Sequence, residues 1–257
     1  MSEIHIHRKK GFAFGEAYVN SKREPDNSGI YLLDVKGDAT PTMQVFSFTA
    51  PLRHGSKYYK NRYEDKEKTV TVGIHANTVE QRRVIQRELL EKIIKAGRSK
   101  LVFLDEPGLF HWAEVFDGIG ENEAEFMTEL DIPFVCSYCK YGIEDKNIVL
   151  SSGANQLNNA GNLEAQTIIK ITASSSGDVT VSGDSNSFKI SGMTNGETVY
   201  IDSDNMVVYK MTGVAKASVM HRFTGKFITL TPGSNNITVS GTATAEVTAS
   251  YNDTYIV

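Results

Sequence analysis

Two cysteines, Cys136 and Cys139, have the spacing of a zinc-ligand pair or of a redox-active dithiol. A structural zinc site needs four ligands, and the chain has no second cysteine pair to complete them. The preceding residues 132–135 (Ile-Pro-Phe-Val) indicate a β-strand, in which side chains three positions apart point to opposite faces. We therefore expect a buried or half-buried pair of thiols here rather than a metal or redox site.

Other clusters of polar residues have a simpler structural interpretation. His5 and His7 would share one face of a strand, which suits two metal ligands, but no third ligand is evident and an ordinary edge strand is expected. The run 202–205 (Asp-Ser-Asp-Asn) resembles half of a calcium loop, yet it lacks the closing glutamate and is better explained as a hairpin turn. Asp105 and Glu106 lie at a loop entry, where acid pairs are too common to indicate a glycosidase.

The sequence motifs of common catalytic sites are missing. The chain has no Gly-x-Ser-x-Gly elbow, no phosphate loop, no His-Glu-x-x-His and no dinucleotide-binding Gly-x-Gly-x-x-Gly. Residues 118–120 (Gly-Ile-Gly) are followed by acidic residues, which would repel a phosphate group. The sequence therefore predicts no catalytic, cofactor-binding or metal-binding residue.

One segment, residues 53–63, combines basic and aromatic side chains (Arg-His-Gly-Ser-Lys-Tyr-Tyr-Lys-Asn-Arg-Tyr). Such an arrangement can stack on the bases of single-stranded nucleic acid. The acidic and basic residues that follow at 64–68 weaken the local positive field. We therefore expect a loop or a subunit interface here rather than a nucleic-acid contact.

Overall composition excludes several classes of protein. The 257 residues carry a net charge of −4, whereas specific nucleic-acid binders need a basic surplus to displace counterions. No apolar run approaches the roughly 18 residues of a membrane span, and the N-terminal residues lack the apolar stretch of a secretory signal. The two cysteines suit folding in a reducing cytosol.

A change of composition divides the chain into two predicted domains, residues 1–147 and 148–257. Only 6 of the 27 Lys and Arg residues and 8 of the 31 Asp and Glu residues lie in the second part. That part instead carries 28 Ser and Thr residues and 10 Asn residues. Two such different surfaces indicate two domains, with the junction between residues 139 and 153.

The first part is predicted to contain strands. Val70, Val72 and Ile74 alternate with small or polar residues, the pattern of a strand with one buried face. Residues 100–104 indicate a buried strand that ends in a turn at 105–108.

One helix is predicted in this part, over residues 78–96. Apolar residues recur there at spacings of four or five and form one stripe: Val84, Ile85, Leu89, Leu90, Ile93 and Ile94. This stripe leaves Arg82 and Lys92 on the outer face. Residues 77–78 (Asn-Thr) can each begin a capping box, and Gly97 can end the helix in a left-handed conformation.

The second part is predicted to consist of strands and turns. Strands are expected near 167–173, 178–182, 187–191, 197–202, 206–212, 226–230 and 235–240. Between residues 237 and 251 the odd positions are mostly apolar and the even positions mostly carry hydroxyl groups, as in two strands that fold at 240–241. The predicted fold is therefore mainly β: an α+β N-terminal domain with one helix, followed by a β-sandwich or jelly roll.

The order of the segments resembles that of a known family. The first part has a basic stretch at 53–55, Arg62, the strand 69–74, the helix 78–96, the strand 101–104, the turn 105–107 and a strand with 112–115. The second part continues with 159–165, 200–203 and 230–235. Together these features resemble the distal tail proteins of long-tailed phages that infect Gram-positive bacteria. The resemblance covers nearly the whole chain and differs at 136–140, where a turn with Asp-Pro or a similar pair would be typical.

The resemblance implies a structural virion protein without enzymatic activity or cofactor. Its N-terminal domain would form a homohexameric ring that joins the tail tube to the tip hub or baseplate and lets DNA pass. Its C-terminal domain would be a galectin-like sandwich that points outward. The implied partners are further copies of the chain, the tail tube protein, the tip hub or tail-associated lysin, the tape measure protein and a receptor-binding protein. Specific DNA binding and a membrane partner are not implied, and the implied location is the phage tail tip after assembly in the host cytoplasm.

Two alternatives belong to other functional classes. Galectin-like sandwiches bind sugars elsewhere, but the only Trp, Trp112, lies in the other domain, and residues 221–223 (His-Arg-Phe) do not replace the missing galectin motifs. In a carbohydrate-binding tail adhesin the first aromatic residues to test would be Tyr200, Tyr209 and Phe223. A cell-wall hydrolase would need an acid/base pair or a metal site, and the sequence offers neither.

Overall fold

The computed structural model describes residues 11–20, 29–37, 40–49, 51, 54–123 and 127–256. His5, His7 and Arg53 lie outside the described residues. The chain divides into two compact units. The first runs to Lys140 and takes in Ile256, and the second spans Tyr141–Tyr255. No helix in the described part of the chain is both long and apolar enough to span a membrane.

The first unit is built from strands and one α-helix. Its elements are β1 (Gly11–Phe14), β2 (Ala17–Asn20), β3 (Gly29–Gly37), β4 (Met43–Phe48), β5 (Lys57–Tyr63), β6 (Lys66–His75), α1 (Val79–Ala96), β7 (Ser99–Phe103), β8 (Leu109–Val115), β9 (Gly120–Glu123) and β10 (Met127–Cys136). The main sheet has the order β2-β1-β7-β8-β10-β6-β3, and β9 pairs with β10 beside it. The predicted strand 100–104 corresponds to β7, which ends in the predicted turn.

Strand β6 lies inside this sheet, because it pairs antiparallel with both β10 and β3. Val70, Val72 and Ile74 are fully buried in the core, as their alternation predicts. The opposite face of the strand is covered as well: Thr71 is only 9% exposed and donates a hydrogen bond to Asp131 at 2.5 Å. β6 is therefore a central strand that is buried on both faces, whereas the sequence predicts one solvent-exposed face.

Helix α1 confirms the predicted helix and corrects its faces. Thr78 caps it by accepting a hydrogen bond from the Gln81 amide at 3.2 Å, and Gly97 follows it with a φ of 54°. Leu89 and Ile93 are buried, but Arg82, predicted on the outer face, is buried too. At about 100° per residue, Arg82 lies within about 20° of both of these core residues. The buried stripe is narrower than the sequence predicts, because Val84 and Ile94 are 50% and 68% exposed.

The second unit is a β-sandwich, preceded by β11 (Lys140–Gly142) at the division between the units. Its strands are β12 (Lys146–Leu150), β13 (Gly153–Asn159), β14 (Ala165–Gln166), β15 (Ile168–Ala173), β16 (Gly177–Ser182), β17 (Ser187–Met193), β18 (Thr198–Asp202), β19 (Val207–Thr212), β20 (Ala215–Ser218), β21 (Phe223–Gly225), β22 (Thr229–Leu230), β23 (Gly233–Gly241), β24 (Ala245–Tyr251) and β25 (Thr254–Tyr255). A short 3-10 helix, Met220–Arg222, precedes β21. One sheet has the order β12-β24-β15-β18-β19-β20, the other β13-β23-β16-β17-β21, and one apolar core includes residues from both.

Most of the strands predicted in this unit are present, including the pair between 237 and 251. Ile237, Val247 and Ala249 are buried, and the chain reverses just after the predicted fold at 240–241. The single strand expected near 226–230 is wrong, because β21 ends at Gly225 and only the two residues of β22, Thr229–Leu230, form a strand within this range. The two short strands also pair with different partners, β21 with β17 and β22 with β14. Between them the Ile228 carbonyl accepts hydrogen bonds from side-chain hydroxyls instead of a strand neighbour.

The predicted boundary between residues 147 and 148 falls within β12, a strand that pairs along its whole length with β24. The segment before it bonds to the C-terminal end of the chain. The Gly142 amide donates to the Asp253 carbonyl at 2.8 Å, and the Asn252 side chain donates to the carbonyls of Gly142 and Glu144. Strand β25 pairs with β11. Residues 141–145 therefore belong structurally with the second unit.

Candidate assembly surface

Strands β4 and β5 form a two-stranded hairpin, here called the hairpin arm, which is the most unusual surface of the first unit. Within the described chain the two strands pair only with each other, and every one of their residues is exposed. The arm presents an exceptional set of large apolar or aromatic side chains, each between 37% and 72% exposed: Met43, Val45, Phe46, Phe48, Tyr58, Tyr59 and Tyr63. An isolated hairpin is marginal in water, and contiguous exposed apolar surface marks an interaction site.

The two faces of the arm differ in charge. The strand register places an uncharged set on one face: Met43, Val45, Ser47, Tyr58, Asn61 and Tyr63. The opposite face carries three cations and two aromatic rings: Gln44, Phe46, Phe48, Lys57, Lys60 and Arg62. A bulge at Tyr59 lies between these pairings. Residues 57–63 of the basic and aromatic segment thus form the second strand of a hairpin and not the expected loop. One face of this hairpin carries all of its charge.

The base of the arm is anchored in its own unit. The Glu64 amide donates to the Thr42 carbonyl at 3.0 Å, and the Tyr63 ring stacks on Tyr138 with centroids 6.0 Å apart. The hairpin arm is thus attached to the first unit at its base, and its two strands are not part of the core.

A second exposed feature of the first unit is the strand β9. All four of its residues are exposed, and within the described chain it pairs only with β10, so its other edge offers unpaired backbone groups. Glu121 and Glu123 give this edge a negative charge. The glycine pair at 118–120, considered above as a phosphate motif, leads into this strand and not into a helix.

The two cysteines are both buried, as the sequence suggests, and they form no disulfide. Burial raises the pKa of the Cys136 thiol to about 12, which keeps it protonated and unreactive. The strand argument does not apply, however, because β10 ends at Cys136 and Cys139 follows in a turn. Among the described residues, no group of three or more His, Cys, Asp or Glu side chains could hold a metal ion.

His111 in β8 is a buried histidine that contacts the same turn, and the sequence gives no signal for it. Its Nδ1 lies 3.3 Å from the Ser137 carbonyl and 3.2 Å from the Cys139 carbonyl, so a neutral ring can donate there. Burial, together with nearby lysines, lowers its pKa to about 4. His111 therefore has a structural role: it links β8 to the turn that follows β10.

Residues considered for calcium binding or glycosidase chemistry serve local structure. The Asp202 carboxylate accepts hydrogen bonds from the amides of Asp204 and Asn205 and from the Asn205 side chain, which closes the turn between β18 and β19. Glu106 lies 2.5 Å from the Lys140 ammonium in the first unit.

The three aromatic residues named for sugar binding pack against neighbouring side chains through their ring faces. Tyr200 and Tyr209 stack on each other with centroids 5.2 Å apart, and the Lys216 ammonium lies 4.4 Å from the centre of the Tyr209 ring. Because β18 and β20 flank β19 on opposite sides, these contacts occupy both faces of Tyr209. Phe223 stacks between Phe188 and Phe227. Tyr209 and Phe223 therefore offer no free ring face for a pyranose, and one face of Tyr200 is occupied by Tyr209.

Arg222 belongs to the run 221–223, which does not replace the galectin motifs, but it has a structural role that the sequence did not reveal. Its guanidinium makes a bidentate contact with Glu197, at 2.7 and 3.1 Å, and donates to the carbonyls of Ser191 and Gly192. The hydrogen bonds from Arg222 lower the pKa of Glu197 to about 2. Only the fold brings these groups together, since 25 residues separate them.

Comparison with known proteins agrees with this architecture. A family model described as phage tail protein RIFT-related domain matches residues 33–136. A second, described as siphovirus-type tail component, C-terminal domain, matches residues 160–255. The two matches fall in the first and second structural units respectively. No curated protein matches the chain by sequence.

Solved structures share the fold of the whole chain. The crystal structure of the Dit protein of phage SPP1, described as a paradigm of the hub adsorption apparatus in phages that infect Gram-positive bacteria, matches with a TM-score of 0.67. The match has 13% identity and covers 95% of this chain and 98% of that one. The baseplate of phage p2 in its activated conformation with Sr matches with a TM-score of 0.51 and 8% identity, over 91% of this chain and 93% of that one. With both domain models matched in order along one chain, this protein belongs to the family of siphophage distal tail proteins.

Proposed function

We propose that the chain forms a homohexameric ring at the distal end of a siphophage tail, where it joins the tail tube to the tip hub or baseplate and lets DNA pass through its centre. The observation that carries this proposal is the hairpin arm. Its exposed apolar and aromatic residues have no core of their own, and burial against another chain would remove that surface from water. The arm lies in the first unit, which the sequence predicts to contain the ring interface.

The proposed partners follow from the position at the tail tip. They are the tail tube protein, the tip hub or tail-associated lysin, the tape measure protein and a receptor-binding protein. The matched structures support this position, because one is described as part of a hub adsorption apparatus and the other as a baseplate. Assembly in the host cytoplasm suits a chain whose two cysteines are buried and form no disulfide.

The role we propose is structural, without catalysis, cofactor or specific DNA binding. The support from the sequence is the lack of catalytic motifs and the net charge of −4. A channel for DNA benefits from few cationic contacts, since each phosphate contact would retard passage. The covered faces of Tyr209 and Phe223 also argue against the alternative of a carbohydrate-binding adhesin.

The test is the assembly state of the purified full chain at micromolar concentration, alone and with the tail tube protein of the same phage. We expect light scattering to give the mass of six chains and negative-stain images to show sixfold rings with a central opening. A chain that stays monomeric under both conditions would contradict the proposed function.

A further inference from the structure

The positively charged residues of the hairpin arm all lie on one of its faces. The thirteen residues of β4 and β5 include Lys57, Lys60 and Arg62 and no acidic residue. Lys60 and Arg62 are two positions apart in β5, so their side chains lie on the same face. Since β5 pairs only with β4 within the described chain, its outer edge can accept another strand.

The acidic edge of β9 has the same spacing with the opposite sign. Glu121 and Glu123 are two positions apart and share one face of their strand. Their strand is exposed along its whole length and has one edge without a partner among the described residues. When two such strands pair, each cation comes to lie opposite an acid, and opposite charges in that position stabilise a sheet.

We propose that β5 of one copy pairs along β9 of the next copy, so that Lys60 and Arg62 lie against Glu121 and Glu123. This inference rests on the proposed function and names the interface that closes the ring. A ring is built from a heterologous contact, in which each chain presents two different and complementary surfaces. The first unit carries both: a basic, apolar arm and an acidic strand edge. A second copy of the chain is therefore the partner that fits the arm.

Paired charge reversals test the contact. The variant K60E/R62E has an acidic arm and an acidic edge, and the variant E121K/E123K has a basic arm and a basic edge. We expect each variant alone to lose the oligomer and to elute as a monomer, because its own two surfaces repel. An equimolar mixture should recover the oligomer, since the acidic arm of one variant meets the basic edge of the other, and the reverse contact is equally matched. Alternation of the two variants also requires an even number of chains in the ring.

The control is R87E/K92E, which reverses two exposed cations on α1 and should leave the oligomer unchanged. Thermal unfolding of each variant shows whether it is folded, and the mixture provides a second check, because misfolded chains would not recover. If both reversed variants still form the wild-type ring, or if the mixture stays monomeric, the pairing of β5 with β9 is wrong and the ring stands on another contact. If the unchanged chain is itself monomeric, with and without the tail tube protein, the proposed function fails and this inference fails with it.

Discussion

The first unit gathers seven exposed apolar or aromatic residues on a single two-stranded arm, whereas the second unit spreads its exposed apolar residues over several strands and turns. Both units have a buried apolar core, so the difference does not lie in the core. It lies in the arm, which has no opposing layer of its own. Scattered apolar residues need no explanation, but a concentrated patch does. The difference is the one that the proposed assembly would explain, because burial against another chain would cover the arm, whereas the sandwich already encloses its own core.

The second unit also fixes its loops with its own side chains. The Asn235 amide accepts from the Thr231 backbone amide and donates to the Thr231 carbonyl, both at 2.8 Å, and Asn155 does the same with Ser151. Asn155 and Asn235 are the third residues of β13 and β23, two strands that pair with each other. Self-contained hydrogen bonding of this kind makes a fold less dependent on neighbours.

The largest effect is expected when the two units are expressed as separate fragments. Residues 141–257, expressed alone, should unfold in a single cooperative thermal transition, because the strands of both sheets lie within this range. Residues 1–140 should associate or precipitate, because the arm stays exposed. The measurement is differential scanning calorimetry of the first fragment and light scattering of the second.

A shorter fragment sharpens this test. Residues 148–257 lack the start of β12 and the ion pair between Lys146 and Asp253, which are 2.7 Å apart. They also lack the carbonyls that bind Asn252. This fragment should melt at a lower temperature than 141–257 or precipitate. Equal melting temperatures would show that residues 141–147 contribute nothing to the second unit, and a non-cooperative 141–257 fragment would contradict the comparison itself.

A smaller effect is expected from Arg222→Ala within the second unit. The change leaves the Glu197 carboxylate, 9% exposed, without its bidentate partner and should lower the free energy of unfolding by about 3 kcal/mol. The pKa of Glu197 is lowered on folding, so its contribution is complete above its ordinary pKa of 4.5 and is lost as the pH falls towards 2. Wild-type stability should therefore decline over this range more steeply than that of the variant. Chemical denaturation between pH 2 and 6 measures both.

The exposed ion pair between Lys189 and Asp178 provides the control for this prediction. Its side chains are 47% and 37% exposed, so Lys189→Ala should lower the free energy of unfolding much less than Arg222→Ala does. If both substitutions cost the same, the contact between Arg222 and Glu197 does not support the sandwich.

How far the sequence predicted the structure depended on the range of the interactions. Local signals sufficed for α1, whose cap and end residues were identified, and for the alternating strands β23 and β24. The burial of Arg82 was missed because the stripe was drawn from the apolar residues alone. The acidic edge and the two faces of the arm depend on register, which a single sequence does not specify.

Two turns of the second unit share a short sequence motif. The patterns Ser-x-Gly-x-Asn at 151–155 and Thr-x-Gly-x-Asn at 231–235 are the same motif, and each places its glycine at positive φ, 95° at Gly153 and 90° at Gly233. Asparagine was counted as part of a polar surface, whereas Asn235 is only 3% exposed and holds a turn. Spacing relative to hydroxyl residues and glycine would have distinguished the two roles.

The smallest expected effect on stability, and the sharpest on assembly, comes from the arm. Tyr58 and Tyr59 are 72% and 68% exposed, so Tyr58→Ser with Tyr59→Ser should change the free energy of unfolding by less than about 0.5 kcal/mol. The matched control is Met206→Ser with Val214→Ser, two apolar residues of the second unit that are 70% and 99% exposed. At a concentration low enough for the wild-type chain to be monomeric, both variants should keep its melting temperature. At micromolar concentration only the arm variant should lose the oligomer in light scattering. Loss of assembly in both, or in neither, would mean that exposed apolar residues in the two units are equivalent. The arm would then be an ordinary surface hairpin, because a patch that drives association must be more sensitive to loss of its rings than apolar residues scattered elsewhere.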